Sequence, residues 1–331
     1  METQTVGKRI LEYLIKTLNG MALGLFSTLI VGVIVEQIGT LSGIEALLEL
    51  AEILKGLMGV GIGTGVAWSL GLVRLPLIGG AAAGGIASEV MHDPVVAYVT
   101  SIAAIEAVRL ILKKRTPFDI LLIPLVSAGV AFLTASLIGE PVAGAMAAVG
   151  GFIEYATELQ PFLMGVVIAV VMGMALTAPI SSAAIAISIG LSGIAGGAAV
   201  AGGAAQMIGF AVMGRKDNNI GGVVSIAIGT SMLQFKNILR KPLIWVPPIL
   251  ASAVLGPLST LLFTIESTPI GSGMGTSAFV GQFGVFDAMG HGPGVLLSLG
   301  LLHFAFPFAL VLLLDVYFRR RGLLAAGDFT L

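Results

Sequence analysis

The chain has 331 residues, of which 56% are hydrophobic and only 11% charged, with a formal net charge of −1. A soluble domain carries roughly a quarter charged residues, so this composition excludes an ordinary soluble fold and points to a polytopic membrane protein. The near-zero net charge of such a chain says nothing about nucleic acid, and no nucleic-acid partner is expected. The absence of cysteine excludes disulfides, thiolate metal sites and cysteine-based phosphoryl or redox chemistry within the chain.

Apolar stretches near the ~20-residue spanning length recur from end to end, which predicts an all-α membrane protein and not a barrel. Residues 3–18 read as an amphipathic helix at the membrane surface, so 1–19 is set apart from the rest. This segment lacks a small-residue cleavage site and does not read as a signal peptide. Residues 20–38 cross. In 41–57, Glu45, Glu49 and Glu52 share a helical face and Lys55 follows Glu52 by three, the pattern of a solvated stripe. Residues 59–72 and 75–90 are short, glycine-rich candidates for broken helices. Residues 94–112 cross, with Glu106 and Arg109 spaced as an intrahelical ion pair. Residues 118–138 cross, Glu140-Pro141 is read as a turn, and 142–157 follow. Residues 161–176 cross. Residues 180–213 are too long for one crossing, and their Gly-Gly pairs predict a break. Residues 220–233 are a re-entrant candidate, and 243–265 and 294–318 cross. Asp315 is placed to pair near Arg319–Arg321, and 322–331 form a tail.

Basic residues mark the cytoplasmic side. The clusters Lys8/Arg9/Lys16, 113–115, Arg215-Lys216, Lys236–Lys241 and Arg319–Arg321 all fall on that side if the chain crosses about ten times with both termini inside.

Between the last two crossings lies IESTPIGSGMGTSAFVGQFGVFDAMGHG, residues 265–292. It is too glycine-rich for an ordinary membrane helix and too apolar for an ordinary loop. Non-helical backbone is tolerated at membrane depth only inside protein or along a watery cavity. The stretch therefore reads as a re-entrant hairpin whose tip meets a substrate. Its Gly-Thr step recurs in GVGIGTGVAW (59–68) and AIGTSMLQ (227–234). Interrupted hydrophobic segments in matching positions point to a binding site at a repeat interface, so an internal repeat is expected. The second and third copies share Gly-Thr-Ser and a following glutamine. The first could equally be a run of small residues for helix packing.

The candidate solute ligands follow from this pattern. Thr230, Ser231, Gln234 and Asn237 form the densest neutral polar group. Gly275, Thr276, Ser277 and Gln282 belong to the hairpin. Such groups hydrogen-bond a polar solute without burying charge. Glu154, after a glycine pair in an apolar stretch, is a carboxylate near membrane depth and a functional candidate by default. Gln160 and Gln206 are further amide candidates. Glycine-rich half-helix N-termini also suit an anionic group. The histidines lack metal spacing, and His303 reads as a packed helix residue. No Walker motif, catalytic triad, metal or cofactor site is read from the sequence.

The stretches GGFIEYATELQPFLMGVV, LTAPISSAAIAI, AQMIGFAV, GTSMLQFKNILRKPLIWVPP, LGPLSTLLF and GSGMGTSAFVGQFG together resemble the EIIC-like membrane proteins of the bacterial phosphotransferase system. They are most similar to the stand-alone branch that includes the perfringolysin regulator-like proteins. The resemblance runs from about residue 59 to 318. It implies a sugar-translocating subunit in the bacterial cell membrane, a homodimer, with 20–321 as one transport domain and Glu154 nearest the family's glutamate motif. Phosphorylating transport would need separate phosphocarrier proteins. The regulator-like relatives imply the alternative, a membrane sensor with a transporter fold that signals to a partner. A channel is a third class.

Overall fold

The computed structural model describes residues 6–111 and 116–331; the basic cluster at 113–115 lies outside them. The described residues are helical with no strand. The chain divides into two compact units, Met1–Gly144 and Ala145–Leu331.

In the first unit, α1 (Val6–Leu25) continues through a π turn (Phe26–Ile30) into α2 (Val31–Ser42), which turns at Gly43 into α3 (Glu45–Gly56). There is no break at residue 19. Then come α4 (Met58–Ser69), α5 (Leu75–Val90) and α6 (Pro94–Ile111). Asp93 starts α6, its carboxylate accepting from the Val95 and Val96 amides at 2.7 and 3.1 Å. Helix α4 packs against α1 on one side and α5 on the other. Glycine makes this possible: Gly61 and Gly65 lie backbone-to-backbone with Gly24 and Gly20, and Gly59 and Gly63 with Gly84 and Gly80. A Cβ at any of these positions would meet a backbone oxygen of the facing helix. The expected ion pairs form, Arg109–Glu106 at 2.6 Å and Lys55–Glu52 at 2.5 Å. Lys55 also reaches Glu36 at 2.9 Å, and Tyr13 donates to Glu106 at 2.7 Å.

Helix α7 (Asp119–Thr157) begins in the first unit and ends in the second. It corrects the turn read at Glu140-Pro141. Pro141 lies inside a continuous helix, as does Pro124. A proline forfeits one amide hydrogen bond, and an otherwise apolar helix long enough to cross a membrane absorbs that loss.

In the second unit, α8 (Pro161–Thr177), α9 (Ser182–Ser188), α10 (Gly193–Gly214) and α13 (Val246–Pro257) surround the core. Between them lie α11 (Ile220–Val224) and α12 (Phe235–Arg240). The chain then runs through α14 (Pro269–Ser272), α15 (Val280–Met289) and α16 (Pro293–Leu299) to α17 (Phe306–Arg320). The long run 180–213 does break, but at Gly190–Gly193, where both glycines have positive φ, and not at its Gly-Gly pairs. Those pairs lie inside α10, which is buried along nearly its whole length. Gly202 contacts α8, and Gly197 meets the Ile265 backbone. Ile153, Ile168, Met172, Ile185 and Leu191 form an apolar cluster beside α10. Asp315, buried on α17, pairs with Arg319 at 2.7 Å and Arg215 at 3.3 Å.

Six described helices are long and apolar enough to cross a membrane: Arg9–Ser42, Pro94–Ile111, Asp119–Thr157, Gly193–Gly214, Pro242–Phe263 and Pro293–Arg320.

Candidate functional site

The first Gly-Thr stretch is not interrupted. It lies within α4, and Thr64 bonds only the Val60 carbonyl one turn back. Its glycines serve the packing just described.

The other two stretches are interrupted, and they meet. After α11 a π turn (Ser225–Gly229) ends at Thr230, whose backbone is extended at φ −161°, ψ 138°. The Thr230 hydroxyl accepts from the Met232 amide at 3.2 Å and restarts the chain as a short 3-10 turn, Ser231–Gln234. The break deprives the last carbonyls of the π turn of helical partners. The third stretch supplies them. The Thr276 hydroxyl donates to the Ala227 carbonyl at 2.6 Å, and the Ser277 hydroxyl to the Gly229 carbonyl at 2.7 Å.

Residues 265–290 form a hairpin of α14 and α15, its legs joined where the Thr268 amide donates to the Gly284 carbonyl at 3.2 Å. Its apex is strained. Gly275 has φ +54°, and Ala278 and Phe279 also lie in the left-handed region, at 44° and 59°. The two non-glycine residues cost about 1–3 kcal/mol each there and persist where their surroundings hold them. Here the Gly275 and Gly203 backbones touch, as a side chain at either would forbid.

Around α10 the polar side chains close on one another. Gln206 is fully buried; its oxygen accepts from the Trp245 indole at 2.9 Å and from Thr177 at 3.3 Å, and its nitrogen lies 3.5 Å from the Ser252 hydroxyl. Thr177 also meets the Ser231 hydroxyl at 2.8 Å. Gln282 donates to the Gly275 carbonyl at 3.4 Å and faces His303 Nδ1 at 3.1 Å.

Gln234 and Asn237 have a different occupation. Asn237 donates to the Gln234 oxygen at 2.7 Å. Their remaining donors hold the segment 322–331: Gln234 the Phe329 carbonyl at 2.8 Å, Asn237 the Thr330 carbonyl at 3.0 Å. Asp217 and Asn218 accept from the amides of Phe329 and Leu331, Lys241 pairs with Asp328 at 2.6 Å, and the Phe329 ring is fully buried. Lys236, next to this group, is half-buried; burial, then the charge of Arg240, holds its ammonium below the ordinary lysine value.

Of the sequence candidates, then, Gln206, Thr230 and Ser231 lie in or beside the α10 cluster. Gly275, Thr276, Ser277 and Gln282 lie in the hairpin that locks onto it, and Gln234 and Asn237 anchor the tail. Glu154 and Gln160 stand apart. Both are exposed, and among the described residues no hydrogen bond or ion pair ties either side chain to the cluster. Sequence reasoning passed over Thr177, Ser252, Trp245 and the ligand-facing potential of His303. The one available signal was Trp245, one of only two tryptophans, set before a proline pair.

The hairpin's hydroxyls thus cap the broken stretch beside it. The family model described as Phosphotransferase system, EIIC matches residues 15–331. The chain belongs to the phosphotransferase system EIIC family. Searches of curated proteins and of solved structures returned no match. Family and apolar helices together make this EIIC chain a multi-pass membrane protein and a transport component of the phosphotransferase type.

Proposed function

We propose that this EIIC chain binds a small polar solute of the sugar class between its two interrupted stretches and carries it across the bilayer by alternating access. The capping of the Ala227 and Gly229 carbonyls by Thr276 and Ser277 carries this reading. Two broken segments that satisfy each other are a closed gate: opening it frees hydroxyls and carbonyls together, and a polyol can replace both. In the open state Thr230, Ser231, Gln206 and Gln282 exchange internal partners for solute hydroxyls. Glu154 and Gln160, exposed and with no side-chain hydrogen bond or ion pair among the described residues, are proposed to meet the solute at another stage of its passage. Hydrogen bonds rearranged in low dielectric give specificity because an unmatched group is costly.

The hairpin is re-entrant in this proposal. The shorter apolar helices Leu75–Val90, Pro161–Thr177 and Ile220–Gly229 add to the six long ones, supporting about ten membrane segments with both termini cytoplasmic. Residues 20–321 act as one transport domain behind an N-terminal amphipathic segment, the chain works as a homodimer, and separate phosphocarrier proteins supply phosphorylation.

The test is uptake of labelled glucose, galactose, fructose and mannitol into proteoliposomes containing the purified chain. Saturable uptake of one sugar, lowered by Ser277→Ala, is expected. Saturable binding without any flux would overturn the transport reading in favour of a sensor. Non-saturable conductance would make the chain a channel.

A further inference from the structure

We propose that Gln282 and His303 form a hydroxyl-reading pair that selects a neutral polyol over an anion, a proposal that rests on the hairpin being the solute site. Gln282 opens α15 and His303 lies in the π turn Gly300–Ala305; their exposures are 5% and 0%. The Gln282 amide nitrogen sits between the Gly275 carbonyl, at 3.4 Å, and His303 Nδ1, at 3.1 Å. That placement fixes the orientation of the amide, since its oxygen there would face a carbonyl oxygen. His303 Nδ1 therefore accepts, and the proton of the neutral imidazole sits on Nε2.

Two buried groups are then left over: Gln282 Oε1, an acceptor, and His303 Nε2–H, a donor. Neither has a hydrogen-bond partner among the described residues. Buried polar atoms are paired in the great majority of cases, and each exception calls for a reason. π turns inside helices occur frequently at functional sites. The hairpin apex whose carbonyl orients Gln282 carries the left-handed residues Ala278 and Phe279.

The unused chemistry is one donor and one acceptor. A hydroxyl can serve either, so a ligand with several hydroxyls satisfies both groups at once. A carboxylate or a fully ionised phosphate only accepts. It would satisfy His303 but set an oxygen against Gln282 Oε1. The pair thus decides between the sugar and anion readings that the glycine-rich segments left open. Because both side chains are enclosed, the solute reaches them only when the hairpin moves.

The experiment is calorimetric titration and thermal stabilisation of the purified full chain with glucose, galactose, fructose and mannitol. Succinate and malonate, which carry no hydroxyl, serve as anions, followed by mono-deoxy analogues of the sugar that binds. Neutral polyol binding is expected, weakened roughly ten- to hundredfold by His303→Ala and by Gln282→Ala. One mono-deoxy analogue should bind weakly to the wild type yet lose no further affinity in one of the variants. Unchanged sugar affinity in both variants overturns the pair and leaves the sugar-binding reading intact. Anions binding best overturns the selectivity. Should the variants not fold, the wild type decides alone: equal affinity for every mono-deoxy analogue overturns the proposal. A wild type that binds no polyol overturns the sugar reading and the pair with it.

Discussion

Residues 59–68 and the pair 227–234 and 273–278 share a Gly-Thr step but use it in opposite ways. In α4 the glycines repeat every four residues on two faces, Gly61 and Gly65 towards α1, Gly59 and Gly63 towards α5. Every backbone bond stays in the helix, and Thr64 only returns its hydroxyl to Val60. In the second unit the threonine is followed by serine, and the helix stops. The hydroxyls then serve backbone groups that the break leaves without partners, Thr230 within its own turn, Thr276 and Ser277 across to the other stretch. Glycine thus has two functions in this chain: close approach of intact helices, and tolerance of broken ones.

The comparison breaks first at the glycines. Gly65→Val places a side chain against the Gly20 carbonyl, backbone against which nothing can yield. A loss of about 3 kcal/mol or more is expected, at the severe end of overpacking, seen as a collapse in thermal unfolding temperature and in folded protein recovered from membranes. Ser277→Ala should cost about 1–3 kcal/mol by leaving the buried Gly229 carbonyl unsatisfied, measured by the same unfolding assay. Gln234→Ala removes the donor to Phe329 and should cost about 1 kcal/mol, concentrated in the tail. Hydrogen exchange would then speed up at the Phe329 and Leu331 amides while α10 stays protected. Thr64→Ala should change stability by no more than about 0.5 kcal/mol, since its hydroxyl makes one local bond. An effect of Thr64→Ala as large as that of Ser277→Ala would erase the distinction between the two uses.

What the sequence discloses follows the range of each interaction. Spacing along one helix predicts the Glu106–Arg109 pair and the Asp315–Arg319 pair, both confirmed. Composition locates the hairpin at 265–292 and marks 220–233 as a second unusual segment, because glycine with hydroxyls is out of place in an apolar run. What depends on distant partners stays hidden. The donors of Gln234 and Asn237 meet carbonyls more than ninety residues away, contacts that no local pattern discloses. Helix α7 runs through Glu140-Pro141 because the turn signal there is local, whereas the continuity of the helix is set by its apolar length. His303 looked like any packed helix residue. Only its place in a π turn, facing Gln282 with one nitrogen unpaired, separates it from one. Glycine pairs in 193–214 suggested a break and instead mark helix contacts, since sequence does not say whether a neighbour stands opposite.

In the proposed function the break at Thr230 and the hairpin apex that caps it are a gate that opens for a sugar. The chain has no cysteine, and the Thr276 hydroxyl lies 2.6 Å from the Ala227 carbonyl, so Ala227→Cys with Thr276→Cys puts the only two thiols on the two stretches of that gate, where formation of the disulfide is verified first. Uptake of the labelled sugar into proteoliposomes would be followed with the pair reduced, oxidised and reduced again. The expected result is uptake when reduced, loss to background when the cross-link is complete, and recovery on reduction. Undiminished uptake with the cross-link complete would contradict the gate.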